Sequence, residues 1–336
     1  MHENSPLLRR RSIAIAAAWV LCAGSFVIAC QVPVFRFALE RWPADKYEIV
    51  VLHQGPLDEA DQQRIATLRH SDHAAPVPAN FGVEVVDVDT TADAELRRLW
   101  QERADVERPL VVTLYPRNAQ EVPDRIADVS PLTDETVKYV VDSPSRQQII
   151  KRLVDGDSAV WIFVPCGDEA QDAVAMKMLK EQVLRNEKEL ELPPQDEIEA
   201  DEFFSEETNI ELRLSFSIVT LDRNDPREQF MLQMLLESEP DLLSLDQPMA
   251  FPVLGRGRVL YALVGKGIFE DTIAMASSFI VGPCSCQVKE QNPGFDLLLA
   301  VDWDAKVGVN ALSKPPPSNT AEPILLTIPP GRGKGK

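Results

Sequence analysis

Between residues 47 and 283 the chain alternates short β-branched runs with stretches of helical spacing, twice in one order. In the first round, 47–52 is a β-branched run and 57–70 carries Leu57, Ile65 and Leu68 at helical spacing. Residues 81–88 alternate apolar with acidic side chains, as a half-buried strand does. Helix returns over 92–103 through Leu96, Leu99 and Trp100, and Pro109 introduces a strand at 110–115. A loop rich in Pro and acids follows. Helices are then predicted over 133–141 and 145–154, the second capped by Ser143 with Pro144 at its first position. After the turn at Asp155, Gly156 and Asp157 the order restarts, with strand 159–164, helix 168–190, strand 212–221 and helix 226–237. Pro248 leads a hairpin with arms 249–254 and 259–264, and helix 270–281 closes the pattern. Pro252, inside the first arm, marks that strand as an edge or a bulge. Alternation of this kind predicts an α/β fold with helices on both faces of its sheets, in two units, 47–156 and 157–304.

What precedes these units decides where they live. Arg9, Arg10 and Arg11 flank an uncharged apolar run, 13–29, and Cys30 follows a small residue. Val27, Ile28, Ala29 and Cys30 resemble the lipobox of exported bacterial lipoproteins, which implies removal of residues 1–29 and lipid on the Cys30 thiol. The run also has the length, about 20 residues, to span a bilayer uncleaved. Either way the arginines stay inside and the remainder is exported, held to the membrane by lipid or by helix. Residues 30–46 then read as a tether: Phe35, Leu39 and Trp42 recur at helical spacing in a short juxtamembrane helix facing lipid or the first unit, and Pro43 ends it.

The net charge is −19, and losing 1–29 removes three Arg and one Glu, which leaves −21. Such a surface repels polyanions, so nucleic acid is excluded as a partner and an envelope protein is expected. The acids concentrate at 191–211, where nine acids and no base form an exposed insertion. A Pro-rich tail that ends basic, 305–336, is expected to be disordered.

The doubled order resembles a tandem of thioredoxin-like domains. Gln247, Pro248, the arm 249–254, the Gly/Arg turn and 259–265 carry the likeness best, because they resemble that family's proline-led hairpin. The resemblance implies a cis peptide before Pro248 and places Pro248 near Cys166, at the strand-to-helix turn where the family keeps its redox motif. The Cys-x-x-Cys itself is absent: Gly167, Asp168 and Glu169 follow Cys166, and the first unit has His53, Gln54, Gly55 and Pro56 in the matching place. Residues 30–42, with Cys284, Ser285, Cys286, Gln287, Val288, Lys289, Asn292, Pro293 and Gly294, resemble uncharacterised exported lipoproteins of planctomycete-type bacteria. That likeness supports the envelope location and implies no activity.

Of five Cys, Cys22 leaves with the leader and Cys30 takes the lipid. Cys166, at a helix start, gains thiolate stabilisation from the helix dipole and loses it to the acids beside it. Cys284 and Cys286 are too close along the chain to bond each other without strain. A bond to Cys166, a soft-metal pair for Cu(I), a partner thiol and a structural role stay open for them. No Ser/His/Asp arrangement and no phosphate loop stands out, and no cofactor is implied. The sequence therefore favours a non-catalytic interaction or accessory module of the envelope, with thiol-redox or copper handling by Cys166, Cys284 and Cys286 as the alternative. The apolar run Phe295 to Trp303, too short to span a bilayer, is expected to pack on the second unit as an added strand.

Overall fold

A computed structural model of the chain describes residues 32–72, 78–119, 122–193, 213–284 and 289–308. The leader, Cys30, Cys286, nearly all of the acidic insertion and the tail beyond 308 lie outside the described residues. The fold is mixed α/β with two sheets. The first half contributes β1 (Tyr47–His53), β2 (Phe81–Asp87), β3 (Leu110–Leu114) and β4 (Ile126–Pro131) in the order β2-β1-β3-β4. β1 and β2 are parallel; β3 and β4 are antiparallel to their neighbours. The second half repeats this with β5 (Ala159–Val164), β6 (Phe216–Thr220), β7 (Met249–Leu254), β8 (Arg258–Val259), β9 (Leu263–Val264) and β10 (Phe295–Asp296), in the order β10-β8-β7-β5-β6 with β9 also on β7. Here β5 and β6 are parallel and β7 is antiparallel to β5.

Helices start where a short polar side chain can take the orphan N–H groups. Asp58 caps α2 (Glu59–His70), Asp93 caps α3 (Ala94–Glu102), Thr133 caps α4 (Asp134–Val141), and Ser143 caps α5 (Pro144–Val154) with proline at its start. Asp168 caps α6 (Glu169–Glu189); α7 (Gln229–Leu236) and α8 (Glu270–Val281) follow in the second half.

Five expectations change. Residues 305–307, expected in the disordered tail, end a short helix, α9 (Trp303–Val307), because Trp303 and Val307 bury their side chains in the core. β4 forms within the stretch that reads as a loop, because alternation there is weak and pairing with β3 defines it. β7 is a central, fully buried strand despite Pro252. The proline's missing N–H falls in the gap between β8, which pairs with residues 253–254, and β9, which pairs with 249–250, so no ladder bond is lost. The peptide before Pro248 is trans, and the cis bond among the described residues is Arg108–Pro109, at the entry to β3. Trans is the lower-energy isomer by about 0.5–1 kcal/mol, and at Pro248 it leaves the carbonyl to accept from Gly265 N at 2.8 Å. Finally, α1 (Val34–Arg41) packs on the second half and not the first. Val34 N donates to Gly282 O at 3.0 Å and Cys284 N to Val32 O at 2.8 Å. Arg36 and Glu40 pair with each other at 2.5 Å while buried, and with the apolar residues around them this lets Val34–Glu40 be enclosed, leaving Arg41 half-exposed at the helix end.

One hydrophobic core is shared between the halves, from Val51 and Val111 through Ile162 and Phe251. The expected added strand is two residues long, β10 on β8, after which Leu297, Leu298 and Leu299 run fully buried between the sheets. Asn80 holds that run to the first half, donating to Leu297 O at 3.0 Å and accepting from Leu299 N at 2.7 Å. Each such leucine is worth roughly 1.5–3 kcal/mol of burial.

Candidate functional site

The parallel strands of the second half end at the turn carrying Cys166. Val164 pairs with Met249, so Cys166 and Pro248 stand at the same end of the sheet. Gly167 makes the turn at φ +93°, and Arg223 Nε holds it by donating to Pro165 O at 2.8 Å. Four backbone N–H groups around the turn are taken by carboxylates. Cys166 N donates to Asp172 Oδ1 at 2.8 Å, Gly167 N to Asp172 Oδ2 at 2.9 Å, and Ala170 N and Gln171 N to Asp168 Oδ1 at 3.0 Å each. Cys166 is a free thiol, half-buried; burial pushes its pKa up, Asp172 and Asp168 push it further, and a backbone hydrogen bond at Asp168 opposes them. The turn therefore keeps the thiol protonated, the reverse of what a nucleophilic cysteine needs. Asp172 is the residue that sequence reasoning missed; its signal was the i,i+4 spacing from Asp168 across the first turn of α6.

The other cysteines do not join it. Cys284 is 1% exposed beneath α1, in the cluster with Val32, Phe35 and Ile280. Its preceding helix α8 places Ser277 Oγ against Asn186 Nδ2, near the end of α6 opposite Cys166, about 25 Å along that helix at about 1.5 Å per residue. The Cys166–Cys284 bond left open in the sequence is thus not formed, and Cys286 lies outside the described residues. Among the described residues no group of three or more His, Cys, Asp or Glu is placed to hold a metal ion, and no helix is long and apolar enough to cross a membrane.

Beside the sealed turn lies an open apolar groove of about 900 Å³. One wall is α6, through Ala170, Gln171, Val174, Ala175 and Met178; the other is Asp246, Gln247 and Pro248 with Val264, Gly265, Lys266 and Ile268. Val174 is 70% exposed, an unusual position for a β-branched apolar side chain on a helix. Gly265, at φ +51°, is required at the floor: a Cβ there would stand 1.9 Å from Gln247 Oε1. At the matching place in the first half is a hollow of about 310 Å³ lined by His53, Leu57, Trp100, Arg108 and Pro109 among others. Arg108 stacks on Trp100 at 3.8 Å and donates to its carbonyl at 2.7 Å, while His53 Nδ1 is 2.7 Å from Gly55 O. Its lining holds no Ser, Thr or Cys; His53 and Asp61 are its titratable groups with Arg108. In both halves the concavity sits outside the carboxyl end of the first strand, where open α/β sheets place ligands.

The fold and the site define an α/β protein with two repeated sheet units and an exposed apolar groove beside the Cys166 turn. Comparison of the chain with family models, curated proteins and solved structures gives no match.

Proposed function

We propose that this is an exported, membrane-anchored lipoprotein that acts as a non-catalytic binding module of the cell envelope, built from two thioredoxin-like units. The repeated strand order, with one parallel pair followed by two antiparallel neighbours, supports the thioredoxin-like reading. The observation that carries the binding role is the sealed turn beside the open groove: Asp172 takes the N–H groups of Cys166 and Gly167, so this end of the sheet keeps a recognition surface without an activated thiol. The groove is apolar with acids at its margin, Asp246 on one wall and Asp168 and Glu169 at the head of α6. Its chemistry suits an extended apolar segment flanked by basic residues, contributed by a protein at the membrane surface. The planctomycete-type likeness fits the same location, with Cys30 as the lipidated residue.

Two measurements on the exported chain test this. Insulin-disulfide reduction with dithiothreitol should run at the uncatalysed rate, and Cys166→Ala should not change it; turnover lost in that variant would establish the thiol-redox reading instead. Cys30→Ala should abolish labelling by a radiolabelled fatty acid and leave the precursor uncut, whereas unchanged size and labelling would establish a retained helix.

A further inference from the structure

On the reading that the groove holds an extended apolar segment, we propose that the chain supplies one itself: residues 323–330, Pro-Ile-Leu-Leu-Thr-Ile-Pro-Pro, dock there and occlude it until an envelope partner competes. Three observations meet in this assignment. The first is chemical fit. Pro329 and Pro330 disfavour helix at the residues before them, and in an extended segment alternation would place Ile324, Leu326 and Ile328 on one side, able to face the groove between Val174 and Pro248. The second is charge. Residues 309–336 carry Lys314, Arg332, Lys334 and Lys336 against the single acid Glu322, in a chain whose net charge is −19. The last three follow the apolar segment directly; Asp246 and Lys266 line the groove that would receive it, and Asp168 and Glu169 stand at the head of α6, next to its Ala170 end, so acids outnumber bases there.

The third is reach. The described chain ends at Gly308, packed at the junction of the halves through Val307, and residues 309–322 separate it from the segment. Those residues span up to about 45–50 Å when extended. A body of this size has a radius of gyration of about 18–19 Å, so the linker can cross from the junction to the groove. A tether of that length would present the segment at an effective concentration on the order of millimolar, which a partner must outcompete.

The test uses the full exported chain. A photo-crosslinking amino acid at Val174 should form an intramolecular adduct to residues 323–330 in the monomer, at a yield independent of protein concentration. Leu326→Asp with Ile328→Asp should abolish that adduct. A fluorescein-labelled synthetic peptide of residues 319–336, added in trans, should bind the Leu326→Asp/Ile328→Asp chain at least tenfold more tightly than the unaltered chain, and Val174→Asp should remove that gain. These substitutions lie in the tail or at an exposed helix position, outside the shared core. Equal peptide binding by both chains would overturn the intramolecular docking while leaving the groove as a peptide site. Adducts formed only between two copies would assign the groove to a second molecule of this chain. Failure of the peptide to bind either chain would overturn the proposal together with the ligand class inferred for the groove.

Discussion

At the scale of single residues, burial is the first cause that pushes the Cys166 thiol up, and Asp172 adds to it. Asp172→Asn, which removes the charge and keeps an acceptor, should therefore lower the Cys166 pKa part of the way. The rate of iodoacetamide alkylation against pH measures this: its midpoint should move to lower pH in the variant, and an unmoved midpoint would leave burial as the sole cause. Asp128 on β4 makes the opposite kind of statement. Burial pushes its carboxyl up to about 6, against the Ser130 hydroxyl and Arg103, which pull it down. Its folded pKa lies above the unfolded one, so the stability this group contributes is present at low pH and is lost as pH rises through about 6. Asp128→Asn should therefore stabilise the protein at pH 7.5 by about 1–2 kcal/mol, with the gain gone at pH 4, as read by urea unfolding at both values.

Among the elements, the return of the chain after α8 is the part whose placement rests on one tight approach. Gly294, at φ +98°, brings the turn so close to β8 that a Cβ would lie 1.8 Å from Val259 O, a backbone atom that cannot swing aside. Gly294→Ala should separate β10 from β8 and loosen the leucines that follow, at a cost of more than about 1 kcal/mol. Hydrogen exchange would locate the effect: faster exchange at Leu297 and Leu299, whose amides donate to Gly257 O and Asn80 Oδ1, with β1 and β5 unchanged. Exchange raised equally across both sheets would instead make this turn part of the common folding unit.

For the molecule as a whole, the halves are joined by buried polar groups as well as by the shared core. Arg146 is fully buried, donates to the carbonyls of Val140 at 3.0 Å and Leu298 at 3.1 Å, and lies 5.2 Å above the Phe230 ring. Burial pulls its pKa down to about 10, which still leaves it charged at neutral pH. Next to it Glu228 accepts from the Ser143 hydroxyl at 2.6 Å and from Ser145 N at 2.8 Å. A second polar group ties Asp45, in the stretch that leads into β1, to Lys289 at 2.7 Å, with the buried Arg258 and Asp296 completing it. Arg146→Ala leaves several buried carbonyl acceptors unsatisfied, and should cost about 3 kcal/mol. Calorimetry should show one unfolding transition in both proteins, at lower temperature in the variant; two resolved transitions in the unaltered chain would mean that the halves fold independently.

The sequence by itself determined the elements whose cause is local. The cap at Ser143, the alternation of 81–88 and the apolar run 159–164 act over a few residues, so spacing alone made them legible. That Cys166 and Pro248 share one end of the sheet was implied by the resemblance, and the pairing of Val164 with Met249 places them there. Tertiary structure decided what depends on distant neighbours. β4 needs β3 beside it, Pro252 is tolerated only where β8 and β9 leave a gap, and α1 is enclosed by a half of the chain that begins more than a hundred residues later. The candidate site divides the same way. Cys166 stood out in the sequence as a thiol at a helix start, but the carboxylate that sets its protonation and the groove beside it arise only once α6 lies against the Pro248 and Gly265 loops. Side-chain chemistry can be read one residue at a time, whereas solvent exclusion and hydrogen-bond competition exist only between surfaces brought together by the fold.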